Sequence, residues 1–301
     1  METRVLPFTD EAIAEAARLI LAGEPIAIPT ETVYGLAADA TNAEAVARIY
    51  EAKGRPSFNP LIVHVPDLAA AERIGDFNHE ARELAKQRWP GPLTLVVPLR
   101  PGGGIASLVT AGLATIGLRV PAHRAIQALL SATGRPLAAP SANASGSISP
   151  TRAEHVFKSL GGRIPLILDA GRTERGIEST IVAATGGSLR LLRKGPIEIE
   201  AEAPSDGRIV APGQLASHYA PSKPLRIGAT TAEPEEYLIG FGEVRGDSNL
   251  SQSGDLVEAA ARLFDMLHEA DESAKPRIAV APIPESGLGA AINDRLRRAA
   301  A

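Results

Sequence analysis

Cationic and hydroxyl side chains gather in a few short segments of this 301-residue sequence. In residues 53–56 (KGRP), Lys53 stands at the end of a predicted helix and Arg55 lies just beyond it. Arginine holds phosphate or carboxylate through two parallel hydrogen bonds, whereas lysine acts as a point charge. Residues 139–151 (APSANASGSISPT) bring hydroxyls, an amide and a glycine to the start of another predicted helix, where an anion is stabilised. These residue types indicate a site for an anionic ligand.

Each segment has a simpler structural explanation when it is considered alone. Residues 29–35 (PTETVYG) follow a predicted strand and could line a ligand site, but a polar turn is the simpler interpretation. Lys53 can compensate the negative dipole at the end of its helix, although that dipole does not explain Arg55 in a loop restricted by Pro56. A single strand histidine such as His64 is more often a core residue than a ligand, and the serine run also suits a flexible loop.

The composition excludes several classes of chemistry. The sequence contains no cysteine, so disulfides, cysteine-ligated zinc and thiol nucleophiles are excluded. No set of His, Asp and Glu has the spacing of metal ligands, no Gly-Lys-Ser/Thr phosphate loop is present, and no Ser-His-Asp arrangement can be placed. The formal net charge of −4 argues against wholesale wrapping of nucleic acid. The N-terminus lacks the pattern of a signal peptide and the apolar runs are too short to cross a bilayer, so a cytoplasmic protein without membrane contact is expected.

Alternating helix and strand patterns in the first two thirds of the chain predict an α/β fold that must position these side chains. The predicted strands are 25–29, 61–65, 93–97, 115–120, 165–169, 180–183 and 189–193. The predicted helices start at Thr9 or Asp10, near Asn42, near Glu80, and at a capping box formed by Thr151 and Glu154. On the strand 115–120, Thr115 and Arg119 lie four residues apart and therefore point to the same face.

A change in composition divides the chain. Residues 203–222 are rich in Pro, Ser and Gly and have no helix or strand period, which predicts a linker, called the strap below. Residues 223–301 then predict strands at 225–228, 237–242 and 277–281 and helices at 255–270 and 288–300. The predicted organisation is a first domain over residues 1–202, the strap over 203–222, and a small Rossmann-like α/β domain over 223–301.

The segments taken together resemble the threonylcarbamoyl-AMP synthase family, whose catalytic domain is YrdC-like. The resemblance is carried, in order, by PTETVYGL, KGRPSFNPLIVHV, WPGPLT, GLRVP, APSANASGSISPT, GIESTIV and LRKG, and it covers nearly all of residues 10–200. APGQLASHYAP followed by a Rossmann-like unit resembles the long, two-domain form of the family. The resemblance implies a YrdC-like N-terminal domain with a twisted mixed sheet and a small Rossmann-like C-terminal domain.

The resemblance also implies which residues bind which substrate. It assigns a threonine pocket to Thr32, His64, Arg119, Ser179 and the backbone near Ala139, with Arg119 holding the amino-acid carboxylate. It assigns an ATP site to Arg55, Asn59, Thr115, Ser141, Asn143, Ser149 and Arg193, together with Lys53, and Tyr219 of the strap is expected to reach back over the nucleotide. Lys53 and Arg55 are the expected catalytic cations.

The implied reaction makes threonylcarbamoyl-AMP from L-threonine, bicarbonate or CO₂, and ATP, for modification of adenosine 37 in certain tRNAs. The N-carboxylate of threonine would attack the α-phosphorus of ATP, and the cations would offset the repulsion between two anions. No protein nucleophile and no prosthetic group are expected, and any Mg²⁺ arrives with the ATP. The strap is expected to close over the nucleotide. Contact with the tRNA-modifying transferase complex and direct RNA binding are left open.

Two other functions remain open at the level of the sequence. YrdC-like domains also suit double-stranded RNA, which predicts an affinity that falls with salt and does not need ATP. The negative net charge counts against this as the main role. A related domain occurs in hydrogenase maturation proteins, which suggests a carbamoyl-transfer enzyme. That class carries zinc-finger-like segments, and this sequence has no cysteine.

Overall fold

Side-chain acceptors at the helix starts explain where the first helices begin. The computed structural model describes residues 1–202, 211 and 218–301. Thr9 precedes α1 (Asp10–Leu21) and accepts a hydrogen bond from the amide of Ala12 over 3.2 Å. Asn42 precedes α2 (Ala43–Lys53) and accepts from two backbone amides, and Gly54 ends that helix with a left-handed φ of 59°. The predicted starts of both helices and the predicted end of the second are confirmed.

Helices and strands alternate along the described chain. The further helices are α3 (Leu68–Ile74), α4 (His79–Arg88), α5 (Ser107–Thr110), α6 (Arg124–Thr133), α7 (Ala153–Leu160), α8 (Leu256–Glu272) and α9 (Leu288–Ala299). The strands are β1 (Arg4–Pro7), β2 (Ile26–Pro29), β3 (Tyr34–Asp39), β4 (Ile62–His64), β5 (Leu93–Pro98), β6 (Thr115–Arg119), β7 (Leu137–Ala138), β8 (Leu166–Asp169), β9 (Thr180–Ala183), β10 (Arg190–Arg193), β11 (Leu225–Ile227), β12 (Glu236–Gly240), β13 (Ser248–Asn249) and β14 (Arg277–Val280). The predicted α/β fold class is confirmed.

The capping box predicted at the start of α7 is wrong. Arg152 occupies the N-cap position, and no side chain caps this helix. The hydroxyl of Thr151 instead donates to the carboxylate of Asp265 on α8, which takes it away from the helix amides. Helix α6 and strand β1 are absent from the prediction. The cap of α6 is the ring nitrogen of His123, an uncommon cap, and β1 is a mostly exposed edge strand without an apolar alternation.

The register of the first sheet brings distant site residues together. Its strand order is β1-β8-β2-β3-β7-β4-β6-β5-β9-β10, and it mixes parallel with antiparallel pairs, which confirms the predicted mixed sheet. Strands β4 and β6 are parallel and place His64 directly opposite Arg119. An isolated bridge between Gly35 and Ser141 ties β3 to the serine-rich segment. Pairing between strands, rather than proximity along the chain, therefore positions these side chains.

The second sheet is a small parallel sheet in the order β11-β14-β12-β13. Its parallel strands with α8 and α9 confirm the Rossmann-like α/β class. Val33 and Ile177 from the first part of the chain share a buried apolar cluster with Tyr219 and with Phe264 of α8. The two sheets are thus joined through packed side chains next to the segments that were predicted to bind ligand.

The exact domain boundaries at residues 202 and 223 remain a prediction. Of the predicted strap, residues 203–210 and 212–217 lie outside the described residues, and Ala211 and residues 218–222 lie within them. In the parts of the chain that the structure describes, no helix is both long and apolar enough to cross a bilayer.

Candidate active site

One cavity collects side chains from segments that are far apart in the sequence. Its empty volume, including the part open to solvent, is about 530 Å³. The predicted site residues that line it are Thr32, Arg55, His64, Arg119, Ala139, Ser141, Ser179, Arg193 and Tyr219. His64, Arg119 and Arg193 are the last residues of β4, β6 and β10, so strand ends deliver these three side chains to the cavity.

Arg119 is already engaged by neighbouring groups. Its Nη2 donates to Oε1 of Glu31 over 2.5 Å, its Nη1 donates to the hydroxyl of Thr32 over 3.0 Å, and its Nε donates to the carbonyl of Gly91 over 3.3 Å. The other oxygen of Glu31 accepts from the amide of Ala122 over 3.1 Å. A carboxylate ligand would therefore bind to an arginine that is already part of a buried hydrogen-bond network, and not to an isolated guanidinium.

His64 faces the cavity without a hydrogen-bond partner among the described residues. It is 2% exposed, and neither of its ring nitrogens is hydrogen-bonded there. Burial, and then the charge of Arg119 beside it, hold the pKa of His64 well below its ordinary value. The ring is therefore neutral at physiological pH, and its buried nitrogens favour a polar ligand, because unpaired buried polar groups are costly.

Ser179 lies between a threonine and an arginine. Its hydroxyl is 2.8 Å from that of Thr94, and it accepts from Nη2 of Arg193 over 3.1 Å. Nε of Arg193 donates to the Ser179 carbonyl, also over 3.1 Å. If Thr94 is the donor in the hydroxyl pair, the Ser179 hydroxyl has two donors already and directs its own proton elsewhere. With Thr94 as the donor, Ser179 is left as a donor toward an anionic ligand.

Arg55 is buried rather than exposed in a loop. It is 9% exposed and donates to the carbonyls of Asn59 and Pro60 over 3.2 and 2.9 Å. Burial lowers the pKa of Arg55 to about 10, so its charge is retained at neutral pH. The carboxamide of Asn59 is 1% exposed, and neither its nitrogen nor its oxygen has a partner within the described ranges. Arg55 thus shapes this loop as well as lining the cavity.

Lys53 lies behind the serine-rich segment instead of lining the cavity. Its ammonium donates to the carbonyl of Ser141 over 2.6 Å and to the carbonyl of Asn143. Burial, and then the charge of Arg55, hold the pKa of Lys53 well below its ordinary value. In this arrangement Lys53 holds the backbone that carries Ser141, which is a positioning role.

Besides Lys53, four of the predicted ATP residues do not line the cavity: Asn59, Thr115, Asn143 and Ser149. Thr115 lies at the start of β6 and lines a separate pocket with Ile62 and Thr94. Asn143 donates to the carbonyls of Ala144 and Ser147 within its own segment. Ser149 donates to Oε1 of Glu178 over 2.5 Å. Thr115 and Arg119 share a face of β6, as predicted, but the length of the strand separates them.

Tyr219 reaches into the cavity from the described end of the strap. It is 1% exposed and adopts a positive φ of 66°, which is uncommon for a residue with a side chain. Its ring centroid lies 5.5 Å from that of Phe264 and 4.0 Å from that of His218. Its hydroxyl has no hydrogen-bond partner in the described residues. The strained backbone and the unpaired hydroxyl are features of a ligand-facing residue.

Sequence reasoning missed several residues of the site. Glu31, Glu178 and His218 stand inside segments that were singled out, so their place in those segments was the available signal. Arg295 lies on α9 and contacts Glu178, and nothing local distinguishes it from the other arginines of that helix. Only tertiary packing identifies it.

The cavity has an excess of positive charge. Among the described residues, three arginines, Arg55, Arg119 and Arg193, line it against one carboxylate, that of Glu178, and Glu31 pairs with Arg119 from outside this lining. The described residues contain no group of three or more His, Cys, Asp or Glu side chains able to hold a metal ion. A cluster of guanidinium groups with hydroxyl and backbone donors suits phosphates and carboxylates, and it can stabilise negative charge that develops during a transfer reaction.

Known proteins resemble this chain over nearly its whole length. A family model described as "Telomere recombination" matches residues 18–195, and one described as "Threonylcarbamoyl-AMP synthase, C-terminal domain" matches residues 176–301. The chain is 40% identical to the threonylcarbamoyl-AMP synthase of Bacillus subtilis, across 99% of this chain and 95% of that protein. It is 39% identical to that of Pyrococcus abyssi, across 94% and 92%. A crystal structure of P. abyssi Sua5 complexed with L-threonine superimposes with a TM-score of 0.91 at 35% identity, covering 100% of this chain and 98% of that one.

Proposed function

The chain belongs to the threonylcarbamoyl-AMP synthase family, and from this premise we propose that its cavity joins L-threonine, bicarbonate or CO₂, and ATP into threonylcarbamoyl-AMP and pyrophosphate. The observation that carries the proposal is the excess of arginine over carboxylate among the described residues of the cavity lining. The threonine carboxylate, bicarbonate and ATP are all anionic, and a buried cationic site offsets their mutual repulsion. The relative with a TM-score of 0.91 was crystallised with L-threonine, which supports threonine as one substrate.

We place threonine beside Arg119, His64 and Ser179. Arg119 and His64 are opposite each other on neighbouring strands, and Thr32 is hydrogen-bonded to Arg119. In this arrangement the carboxylate of threonine accepts from Arg119 and from the Ser179 hydroxyl. The neutral ring of His64 offers one donor and one acceptor to the amine or hydroxyl of the substrate. A pocket of this kind separates threonine from serine by one methyl contact, a difference of about 1–3 kcal/mol.

We place ATP against Arg55 and Arg193, and Ser141 and Tyr219 line the same cavity. Lys53 holds the carbonyl of Ser141 and so fixes the segment that would approach the phosphates. Asn143 and Ser149 belong to the same segment and act through their own hydrogen bonds rather than from the cavity wall. Any Mg²⁺ would come with the ATP substrate and would supply positive charge that offsets that of the phosphates. The strap, through Tyr219, would close the nucleotide side against water.

The chemistry then requires positioning and electrostatics rather than a protein nucleophile. The threonine amine adds to CO₂ and loses a proton, or condenses with bicarbonate and releases water, and either route gives an N-carboxylate. One oxygen of that carboxylate attacks the α-phosphorus of ATP, the bond from the α-phosphorus to the bridging oxygen breaks, and pyrophosphate leaves with the electron pair. Arg55 and Arg193 stabilise the charge that develops on the phosphates. Holding the reactants in one cavity supplies much of the remaining acceleration.

The proposed reaction is a nucleotidyl transfer whose product serves the modification of adenosine 37 in tRNA. A cytoplasmic location, contact with the tRNA-modifying transferase complex and direct RNA binding are part of the proposal only as expectations. The decisive experiment measures pyrophosphate release from ATP, with threonine and bicarbonate omitted in turn, and identifies the product by mass spectrometry. Release that needs both co-substrates is expected. Release that ignores threonine, or turnover that needs carbamoyl phosphate, would refute the proposal.

A pair of variants on one strand sharpens this experiment. Arg193 and Arg190 both belong to β10, but Arg193 lines the cavity while Arg190 donates to the hydroxyl of Thr185. Arg193→Gln should reduce the rate about a hundredfold or more, as expected for loss of one preorganised donor to developing charge. Arg190→Gln should keep the wild-type rate. Equal losses in the two variants would indicate a general effect of charge on the strand.

A further inference from the structure

Two threonines in the turn between β2 and β3 are hydrogen-bonded to each other at the cavity wall. Thr30 and Thr32 are 3% and 1% exposed, both line the cavity, and their hydroxyl oxygens lie 2.8 Å apart. The hydroxyl oxygen of Thr30 also lies 2.7 Å from the carbonyl oxygen of Val33. Nη1 of Arg119 donates to the Thr32 hydroxyl over 3.0 Å. The family resemblance assigns no substrate to Thr30, but these contacts connect it to a residue of the threonine pocket.

The number of protons decides which of the two hydroxyls donates. Two oxygens at these distances form a hydrogen bond only when a proton lies between them. The carbonyl of Val33 has no proton, so Thr30 must donate its single proton to that carbonyl. Thr30 then has no proton left for Thr32, and the Thr32 hydroxyl must be the donor in the pair. The amides of Thr32 and Val33 donate to the Thr30 oxygen over 3.2 and 3.3 Å, which holds the Thr30 side chain in this arrangement.

This arrangement leaves Thr32 with an acceptor and without a free proton. A hydroxyl has one proton and two lone pairs. In Thr32 the proton goes to Thr30, and one lone pair accepts from Arg119. The second lone pair has no donor among the described residues, and Thr32 lines the cavity. A substrate group that contacts the Thr32 hydroxyl must therefore donate to it, whereas a carboxylate oxygen would face a lone pair.

We propose that Thr30 is a positioning residue for the amino-acid substrate: by accepting the proton of Thr32, it makes Thr32 an acceptor for an N–H or O–H group of that substrate. This inference rests on the proposed function, because it assumes that threonine occupies the cavity against Thr32. Threonine carries donors on its amine and hydroxyl and only acceptors on its carboxylate. A fixed lone pair at Thr32 therefore favours the orientation in which the carboxylate points toward Arg119 and Ser179.

The first test compares Thr30→Val, which removes the hydroxyl and keeps the shape, with Thr30→Ser, which keeps the hydroxyl. Without the Thr30 hydroxyl, the Thr32 hydroxyl can rotate and turn its proton toward the donor group of the substrate. We expect Thr30→Val to raise the KM for threonine on the order of tenfold, as for the loss of one hydrogen bond, with the KM for ATP nearly unchanged. Thr30→Ser should restore most of the threonine affinity. An equal rise in both KM values, or equal effects of the two variants, would overturn the proposal.

A double variant separates an effect through Thr32 from a general effect on the turn. Thr32→Val removes the acceptor itself and should also raise the KM for threonine on the order of tenfold. If Thr30 acts through Thr32, adding Thr30→Val to Thr32→Val should cause little further rise. Two effects that multiply would show that Thr30 acts on the turn as a whole, which contradicts the proposal.

Thr133→Val is the matched control. Thr133 is also buried and donates to a backbone carbonyl, that of Leu129, over 2.8 Å, but it belongs to α6 and does not line the cavity. Thr133→Val should leave the KM values for threonine and ATP unchanged. A rise in the KM for threonine as large as that of Thr30→Val would show that loss of any buried threonine hydroxyl has this effect, and the proposal would be wrong.

Neutron diffraction from crystals of the deuterated wild-type protein tests the same point without any variant. The deuterium of Thr30 should lie between its oxygen and the Val33 carbonyl, and that of Thr32 should lie between the two hydroxyl oxygens. A Thr32 deuterium that points into the cavity would overturn the proposal. Threonine binding measured by calorimetry without ATP checks the affinity changes separately from the proposed reaction, which stands or falls on pyrophosphate release by the wild type.

Discussion

Nη2 of Arg119 lies 2.5 Å from Oε1 of Glu31, and both side chains are only 5% exposed. The arginine expected to hold the threonine carboxylate is therefore one half of a buried ion pair. Such a pair is costly to break when one partner is removed, because the other charge remains buried. Glu31 orients Arg119 and limits how strongly its charge attracts a second carboxylate.

Glu31→Gln should destabilise the protein and strengthen the attraction of Arg119 for the threonine carboxylate. The amide oxygen of glutamine can still accept from Arg119, but the charge is lost, so the free energy of unfolding should fall by about 1–3 kcal/mol. If Arg119 holds the threonine carboxylate, added threonine should raise the Tm of the variant more than that of the wild type, because the ligand replaces the missing charge. Glu15→Gln is the control, since Glu15 pairs with the exposed Arg4. If threonine raises the Tm of Glu31→Gln and of the wild type by the same amount, this placement of threonine is wrong.

Arg55→Ala should strongly reduce turnover and also destabilise the protein. The sequence places Arg55 in a loop just past the end of α2, but the side chain is buried and donates to the carbonyls of Asn59 and Pro60. We expect the rate to fall about a hundredfold or more and the free energy of unfolding to fall by about 1–3 kcal/mol. Arg163→Ala is the matched control, because Arg163 is exposed and also donates to a backbone carbonyl, that of Ala52. Full activity in Arg55→Ala would remove Arg55 from the site.

Gly176→Ala should disturb the packing between the two parts of the chain. A Cβ at Gly176 would lie 2.3 Å from the carbonyl oxygen of Ala261 on α8, and its φ is +68°. Gly171 has a similar φ of +82° but open space around a Cβ, so Gly171→Ala isolates the backbone strain of about 1–2 kcal/mol. Gly176→Ala should lose about 1–3 kcal/mol more, from overpacking. Urea unfolding measures the free energy of unfolding of both variants. Equal losses would show that α8 can shift away from the added Cβ without loss of stability.

The stacked pair His155 and His268 should make stability depend on pH. Their ring centroids are 3.8 Å apart, His268 lies 3.2 Å from the Ser149 carbonyl, and Asp265 lies 4.0 Å from His155. Burial lowers the pKa of each from 6.5 to about 4. Because the folded values are lowered, the unfolded chain binds more protons, so the pair's stabilisation is full above pH 6.5 and is lost as the pH falls toward 4. Each histidine should contribute a slope of about 1.4 kcal/mol per pH unit within that window.

The measurement is urea unfolding at several pH values between 7 and 4.5. His268→Gln should flatten the pH dependence, because it removes one titrating group while its amide can still donate to the Ser149 carbonyl. His79→Gln is the control, since His79 is exposed at the start of α4. A slope in His268→Gln equal to that of the wild type would show that other groups carry the pH dependence.

Much of the candidate site follows from residue type and order along the chain. Gly54, which ends α2, and Asn42, which begins it, act through bonds to near neighbours, so local sequence determines them. The order of the threonine, arginine and serine segments indicated the family and most of the cavity lining. The register between β4 and β6, which sets His64 against Arg119, depends on strand pairing and could only be expected through the resemblance.

Tertiary structure alone decided which charges pair. Sequence placed Arg119 in a ligand pocket, but only the fold shows that Glu31 accepts from it; sequence placed Thr151 at a helix cap, but Asp265 from α8 takes its hydroxyl. Arg295 is more than a hundred residues from Glu178, and the sequence of α9 does not distinguish it from the exposed Arg297. The physical reason is that local periodicity indicates only which face of a helix or strand is apolar. The partner of a charged side chain, and the strength of their interaction, depend on burial and on groups that folding brings close.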